Sequence, residues 1–260
     1  MATTQYTIPE LVKIGVQQGQ IPQYLYKYRK LSDTTDLIFT ESKLWFSKPS
    51  DFNDPFDCQL TVDTKNTEME IAIFLQKNAP GMNPNEIKRL SKEYSKNQSQ
   101  WYKMVTTIIS NKVNSNGICC FAGSNDNILM WSHYTDSHKG ICLKFDVLED
   151  PDFFSIPLLV NYCTEYPYYN HLKDHTTLVK SLIQTKAKIW EYENELRVLK
   201  PSIGAYPYKK SALKDVCFGC NCSKSEINRI KSLVKANGFN VTFTKTAKAS
   251  KKFELKIKNV

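Results

Sequence analysis

Apolar and polar positions along the chain follow two periods. Tyr24-Leu-Tyr26-Lys-Tyr28-Arg29-Lys30 alternates with a period of two and predicts a strand. On it, Tyr26 and Tyr28 share one face while Lys27 and Arg29 share the other. Short strands are predicted at 44–47, 117–122, 139–146, 158–162, 216–218, 240–244 and 253–257, several of them bounded by Pro, Asn or Gly. Helical spacing starts at Thr7-Ile-Pro9-Glu10. It returns over 65–112, broken into two helices by Pro80-Gly81 and Pro84. A short helix is predicted within 124–136 with an Asn or Asp cap, and another over 223–235 capped by Ser223 or Ser225. Residues 171–188 also read as helical and lead into 190–199, which becomes extended by its end.

This order of elements lacks a strict βαβ alternation, and Tyr-rich half-buried strands suit a mixed sheet. The expected fold is α+β, a mostly antiparallel twisted sheet with flanking helices. One domain of 260 residues is expected, with a core at 24–64 and 113–220. The polar stretch 65–112 is the helical insertion or lid, and 201–260 forms a βαββ-like section. With 14 Tyr, 13 Phe and 4 Trp the chain can bury a sizeable core. It contains no apolar run of the roughly 20 residues that span a bilayer. The opening residues lack the pattern of a secretory signal, so a cytoplasmic location is expected.

The net charge of +9 is concentrated at one end: residues 201–260 hold 13 Lys/Arg against three acids, Asp215, Glu226 and Glu254. A solvated lysine-rich face is the plain explanation, and contact with nucleic acid is the functional one. Eight cysteines are present, three of them in Cys217-Phe-Gly-Cys220-Asn-Cys222. A zinc site needs a second ligand pair, which this cluster lacks, so reduced buried or turn cysteines are expected and no metal.

Phosphate-loop, dinucleotide-loop, zinc-helix and nucleophile-elbow motifs are all missing, which sets aside the common kinase, dehydrogenase, zincin and hydrolase families. Four clusters remain. In Glu193-x-Glu195-x-Arg197, an extended chain puts two carboxylates and a guanidinium on one face, flanked by Trp190 and Tyr192. In Trp131-Ser-His133-Tyr134, a helical side chain is placed to meet a ligand, although a packed histidine is the commoner role. Arg29 beside Tyr28 suits a clamp for phosphate or ribose hydroxyls. Asn53-Asp54-Pro55-Phe56-Asp57 forms a rigid turn, structural or ligand-contacting.

The strings LYKYR, FSKPSDFNDPFD, LMWSHYTDSHKG and WEYENELR occur in that order. Together they resemble a bacterial family defined only as domain of unknown function 2971, over roughly residues 24–220. More remotely, the layout is similar to ADP-ribosyltransferases of the DNA-modifying toxin and RES-toxin kind. That resemblance implies an ADP-ribosyltransferase-like core with NAD as substrate. Glu195 matches the catalytic carboxylate, Arg29 or Tyr28 the clamp, and Tyr134 or His133 the aromatic or histidine position. The sequence has no Ser-Thr-Ser strand and no matching His-Tyr-Glu triad.

The leading expectation is therefore an NAD-using enzyme that transfers ADP-ribose to a macromolecule or hydrolyses NAD, a bacterial toxin or antiphage effector. Cleaving the nicotinamide–ribose bond passes through an oxocarbenium-like state that needs a fixed carboxylate. Glu195 is the catalytic residue with Glu193 and Arg197 in support. Arg29, Tyr28, Trp131, His133, Tyr134, Arg197 and Asn53 bind the nucleotide. The alternatives are a metal-dependent nuclease or nucleotide hydrolase drawing on Glu193, Glu195, His133, Asp54 and Asp57, and a non-catalytic ligand-binding protein.

Overall fold

The computed structural model describes residues 6–173 and 177–260, which gather into two compact units. The first holds Met1–Ser47, Gly117–Val160 and Ile189–Val260, and the second Lys48–Asn116 and Asn161–Lys188. The helical stretch expected at 65–112 is thus part of a larger unit made of two chain segments.

The first unit contains helices α1 (Ile8–Gln17), α2 (Asp33–Thr40), α6 (Ile128–Tyr134), α7 (Pro151–Phe154) and α9 (Lys224–Ala236). Its strands are β1 (Tyr24–Arg29), β2 (Lys43–Phe46), β4 (Gly117–Ala122), β5 (Ile141–Asp146) and β6 (Leu158–Leu159). They continue with β10 (Glu195–Lys200), β11 (Gly204–Pro207), β12 (Leu213–Phe218), β13 (Thr242–Lys248) and β14 (Leu255–Asn259). Eight of them form one sheet in the order β14-β13-β12-β5-β1-β4-β10-β6. Every pairing is antiparallel except β12 with β13, whose connection runs through α9, as a parallel pair requires. A mixed α+β fold with a mostly antiparallel sheet is what the alternating runs predicted.

The pleat sends alternate residues to opposite faces. On one face lies the principal core: Leu25, Phe121, Leu143, Phe145, Leu196 and Val198 of the sheet meet α1, α2, α7, α9 and β2. Helix α9 contributes Ile227, Ile230 and Val234, an i, i+3, i+7 stripe, and burying each is worth about 1.5–3 kcal/mol. Its start is fixed by Ser223, whose hydroxyl accepts the Glu226 amide. Thr7 and Glu10 cap α1 reciprocally. The opposite face carries a smaller cluster of Tyr28, Ala122, Met130, Trp131, Cys142, Cys217 and Leu255, with Tyr26, Tyr134 and Tyr192 against it.

The second unit contains α3 (Glu68–Asn78), α4 (Pro84–Lys96), α5 (Gln98–Asn114) and α8 (Leu178–Ile183). Its strands form two short parallel pairs, β3 (Thr61–Val62) with β8 (Tyr168–Tyr169) and β7 (Asn161–Cys163) with β9 (Thr185–Ala187). Trp101 is fully buried there against Phe74, with its ring N–H donated to Asn66 at 3.0 Å.

Several predicted elements need correction. Two helices were expected over 65–112 and three are present, because Asn97 ends α4 and its side chain caps α5. The single strand expected at 158–162 is split between β6, in the large sheet, and β7, in the second unit. Of the helical span 171–188, residues 174–176 lie outside the described residues, 178–183 are helical and 185–187 pair as β9. Helix α2 and strand β11 were not anticipated.

Lys27 belongs to the principal-core face, where its ammonium lies 5.3 Å from the Phe121 ring centre and donates to the Cys120 carbonyl at 2.5 Å. No ion pair involves it among the described residues, and burial lowers its pKa from the ordinary value of 10.5. Below 10.5 the unfolded chain therefore binds the proton more tightly than the folded one, and stability rises with pH from the depressed value up to 10.5. Lys27→Met is expected to raise the thermal midpoint at pH 7 by roughly 2–4 °C, about 1 kcal/mol, and to flatten that rise. A fall of similar size in calorimetry would contradict this account of Lys27.

Candidate active site

The smaller-cluster face of the sheet gathers most of the polar residues singled out by sequence. Strand β10 pairs with β4 so that Glu195 lies opposite Ala122 and Arg197 opposite Cys120. Because Leu196 and Val198 fill the principal core, Glu195 and Arg197 must point the other way. Both are buried, at 3% and 0% exposure. The guanidinium grips the carboxylate as a fork: Nε donates to Oε1 at 2.8 Å and the second nitrogen to Oε2 at 3.2 Å. Such a bidentate pair fixes the carboxylate in orientation as well as in charge. Across the sheet, Ala122 is also the partner of Tyr26, so Glu195 and Tyr26 flank a small residue on one face.

Helix α6 runs along this face. Asn127 caps it, accepting the amides of Leu129 and Met130, and its Nδ2 donates to the Tyr192 carbonyl at 2.8 Å. One side chain thus starts the helix and ties it to the segment preceding β10. Trp131 is fully buried, edge-on to Tyr28 at 5.3 Å, with its ring N–H on the Asn125 carbonyl. Tyr134, one turn closer to the helix end, donates its hydroxyl to Glu193 Oε1 at 2.6 Å. After α6, Asp136, Ser137 and His138 all have left-handed backbone, with φ of 49°, 56° and 66°. Three such non-glycine residues in succession carry strain that the surroundings must hold in place. His138 stacks on Trp131 at 6.4 Å and 11° as part of that hold.

The alternation expected through Glu193, Glu195 and Arg197 starts only at Glu195. Glu193 belongs to a 3-10 turn, Lys188–Glu193, and Asn194 has φ of 44°, so the chain is not extended there. Tyr134 rather than a shared strand face engages Glu193, which is 4% exposed. Gly123 donates its amide to the Asn194 carbonyl at 2.9 Å, and the Asn194 side-chain Nδ2 occupies the space that a Cβ at 123 would take.

Arg29 does not join this group. It pairs with Ile141 of the principal-core face, opposite to the face of Glu195 and Tyr134. The alternation that separates Arg29 from Tyr28 therefore leaves only Tyr28 on the carboxylate side. Tyr28 is packed there, donating its hydroxyl to the Ser124 carbonyl at 3.0 Å, and burial raises its pKa. His133 is exposed, its ring 6.3 Å from that of Tyr192. Asn53 lies in the second unit, as do Asp54 and Asp57. Asp57 is buried there with Lys186 at 3.8 Å, and Asp54 accepts the Phe56 amide.

Sequence reasoning missed Cys120. It sits beside the fork, and burial first, then the charge of Glu195, pushes its thiol well above the ordinary range. A neutral thiol of that kind is a wall, not a nucleophile. The signal for it was available, since its alternation with Ala122 puts it on the non-core face of a strand that otherwise reads as uniformly apolar. None of the eight cysteines is in a disulfide, and no group of three or more His, Cys, Asp or Glu among the described residues could hold a metal ion.

A family model described as "Protein of unknown function (DUF2971)" matches residues 130–198. That segment opens in α6 and closes on β10, so Trp131, Tyr134, Glu193, Glu195 and Arg197 all fall inside it, while Arg29 and Asn53 fall outside. No curated protein and no solved structure matches the chain. No helix among the described residues is long and apolar enough to cross a membrane.

Removing one partner of a buried pair leaves the other charged and desolvated. Glu195→Met and Arg197→Met alone are each therefore expected to cost about 3–5 kcal/mol in urea unfolding, while the two together cost far less. Additive losses in the two single variants and the double variant would show that the fork contributes no coupling.

Proposed function

We propose that the α6 face is the active site of an NAD-using enzyme with an ADP-ribosyltransferase-like core, which transfers ADP-ribose to a macromolecule or hydrolyses NAD. The observation that carries this reading is the buried Glu195–Arg197 fork, adjoining the Tyr134–Glu193 hydrogen bond. A buried ion pair is seldom more stabilising than well-packed apolar residues. Its presence on the face of the smaller cluster, beside a helix whose Tyr134 is only half-buried, supports a chemical use.

In this reading Glu195 faces the ribose carbon as the bond to nicotinamide lengthens, and its charge stabilises the oxocarbenium-like state. Arg197 is a positioning residue that keeps the carboxylate planar and ionised in one orientation. Tyr134, half-buried, offers a flat wall to the nicotinamide and its pair with Glu193 suits a ribose hydroxyl, whereas Trp131, chosen from sequence as a second wall, is fully buried and supports the helix from behind. Arg29 has no part in the site, because it belongs to the other face of the sheet. Arg197 is committed to Glu195, so the pyrophosphate must be met by groups outside the set chosen from sequence. The lysine-rich residues 201–260 suit a nucleic-acid acceptor.

Purified protein incubated with NAD is expected to release nicotinamide, and Glu195→Gln to slow that release by about 100-fold or more. Tyr134→Phe, which keeps the ring, is expected to lower it by roughly tenfold, in line with the loss of one transition-state hydrogen bond. Release that persists in Glu195→Gln, or a wild-type protein inert toward NAD with DNA, RNA and protein acceptors all supplied, would overturn the proposal.

A further inference from the structure

Arg29, excluded from the carboxylate face, lines a cavity of its own. The cavity has a volume of about 430 Å³, within the range of roughly 300–1,000 Å³ usual for small-ligand sites. It lies wholly within the first unit, between the end of β1, helix α2 and the outer face of the β2–β11 pair. Two walls differ in chemistry. One is apolar: Leu37 and Trp45 are 47% and 55% exposed, and both face the cavity along with Ala205, which pairs directly with Trp45. Large apolar side chains left open to water are ordinary when scattered, but two of them converging on one concave site is a recognition surface.

The other wall is cationic. Arg29, Lys30 and Lys43 line it against a single acid, Glu41, whose carboxylate is taken by Lys43 at 2.9 Å. Arg29 is half-buried and makes no ion pair among the described residues. Thr34, Ser32 and Thr35 add a run of hydroxyls: Ser32 lies 2.9 Å from Thr34 and 3.2 Å from Thr35, which donates to the Lys30 carbonyl. A guanidinium without a carboxylate beside hydroxyl groups is matched to a phosphate, which it can grip with two parallel hydrogen bonds. The Trp45 indole on the other wall, with about half its surface in water, is matched to a planar base.

We propose that this cavity is a binding site for a nucleoside monophosphate, either free or as the terminal nucleotide of a nucleic acid, with the base stacked on Trp45 and the phosphate held by Arg29. The site is separate from the carboxylates, which lie on the opposite face of the sheet, and it does not depend on the reaction assigned to them.

Calorimetric titration of the full chain with AMP, adenosine, inorganic phosphate and a 5′-phosphorylated tetranucleotide tests the proposal. AMP is expected to bind at least tenfold more tightly than adenosine or phosphate, since only AMP reaches both walls. Arg29→Gln and Trp45→Ala are each expected to weaken AMP by about tenfold, the scale of one charge-assisted contact or one stacked base. Equal affinity for the tetranucleotide identifies the terminal nucleotide of a strand as the source, and weaker affinity identifies the free nucleotide. Trp45 is exposed, so its variant keeps the fold, which an unchanged melting temperature verifies. No binding of AMP, or AMP affinity unchanged in both variants, would overturn the proposal.

Discussion

Strand β10 is committed on both faces, and the rest of the arrangement follows from that. Leu196 and Val198 are held in the principal core, so a shift of one residue in register would place a guanidinium there and two aliphatic side chains among the tyrosines. The register with β4 is therefore enforced by hydrophobic burial, while the fork between Glu195 and Arg197 pairs the two charges that β10 buries on the other side. Neither charge could tolerate that location alone. Hydrophobic burial selects the position, and the ion pair makes the position habitable.

The helix above it is fixed by similar reciprocity. Asn127 both caps α6 and holds the Tyr192 carbonyl, so the start of the helix and the approach to β10 move together. At the far end, a run of left-handed residues turns the chain back toward β5, with His138 flat against Trp131. Tyr134 then meets Glu193 from a helix anchored at both ends. Such anchoring is what a carboxylate site needs if its groups are to be held without reorganisation. The matched family segment spans these same elements from α6 to β10.

Much of this was legible in the sequence, and the failures have physical causes. Alternation correctly separated Tyr28 from Arg29 and put Glu195 with Arg197, because a period of two is a property of any extended chain. It could not say which face of β1 would look toward β10's charges; that is decided by the register of β5 and by which side α2 and α9 cover. Glu193 was assigned to the strand because nothing in Tyr-Glu-Asn-Glu announces a 3-10 turn, and the left-handed Asn194 shows only in the backbone. Helix α2 was overlooked although Ser32 and its threonines carry a cap signal, since the apolar stripe of Leu37 and Ile38 is too short to show a helical period. The 171–188 span reads as helical because β9 has only three residues, and its pairing with β7 is a long-range event that local composition does not encode.

The central claim is that the Glu195 carboxylate, held by Arg197 on the α6 face, is where a ribosyl carbon comes to react. Its most direct measurement is a crystal structure of the Glu195→Gln protein soaked with NAD. Expected are the nicotinamide ring against Tyr134 and the ribose C1′ within roughly 3–3.5 Å of the residue 195 side chain, a near-attack distance. NAD bound with its ribose remote from residue 195, at an occupancy high enough to be unambiguous, would contradict it.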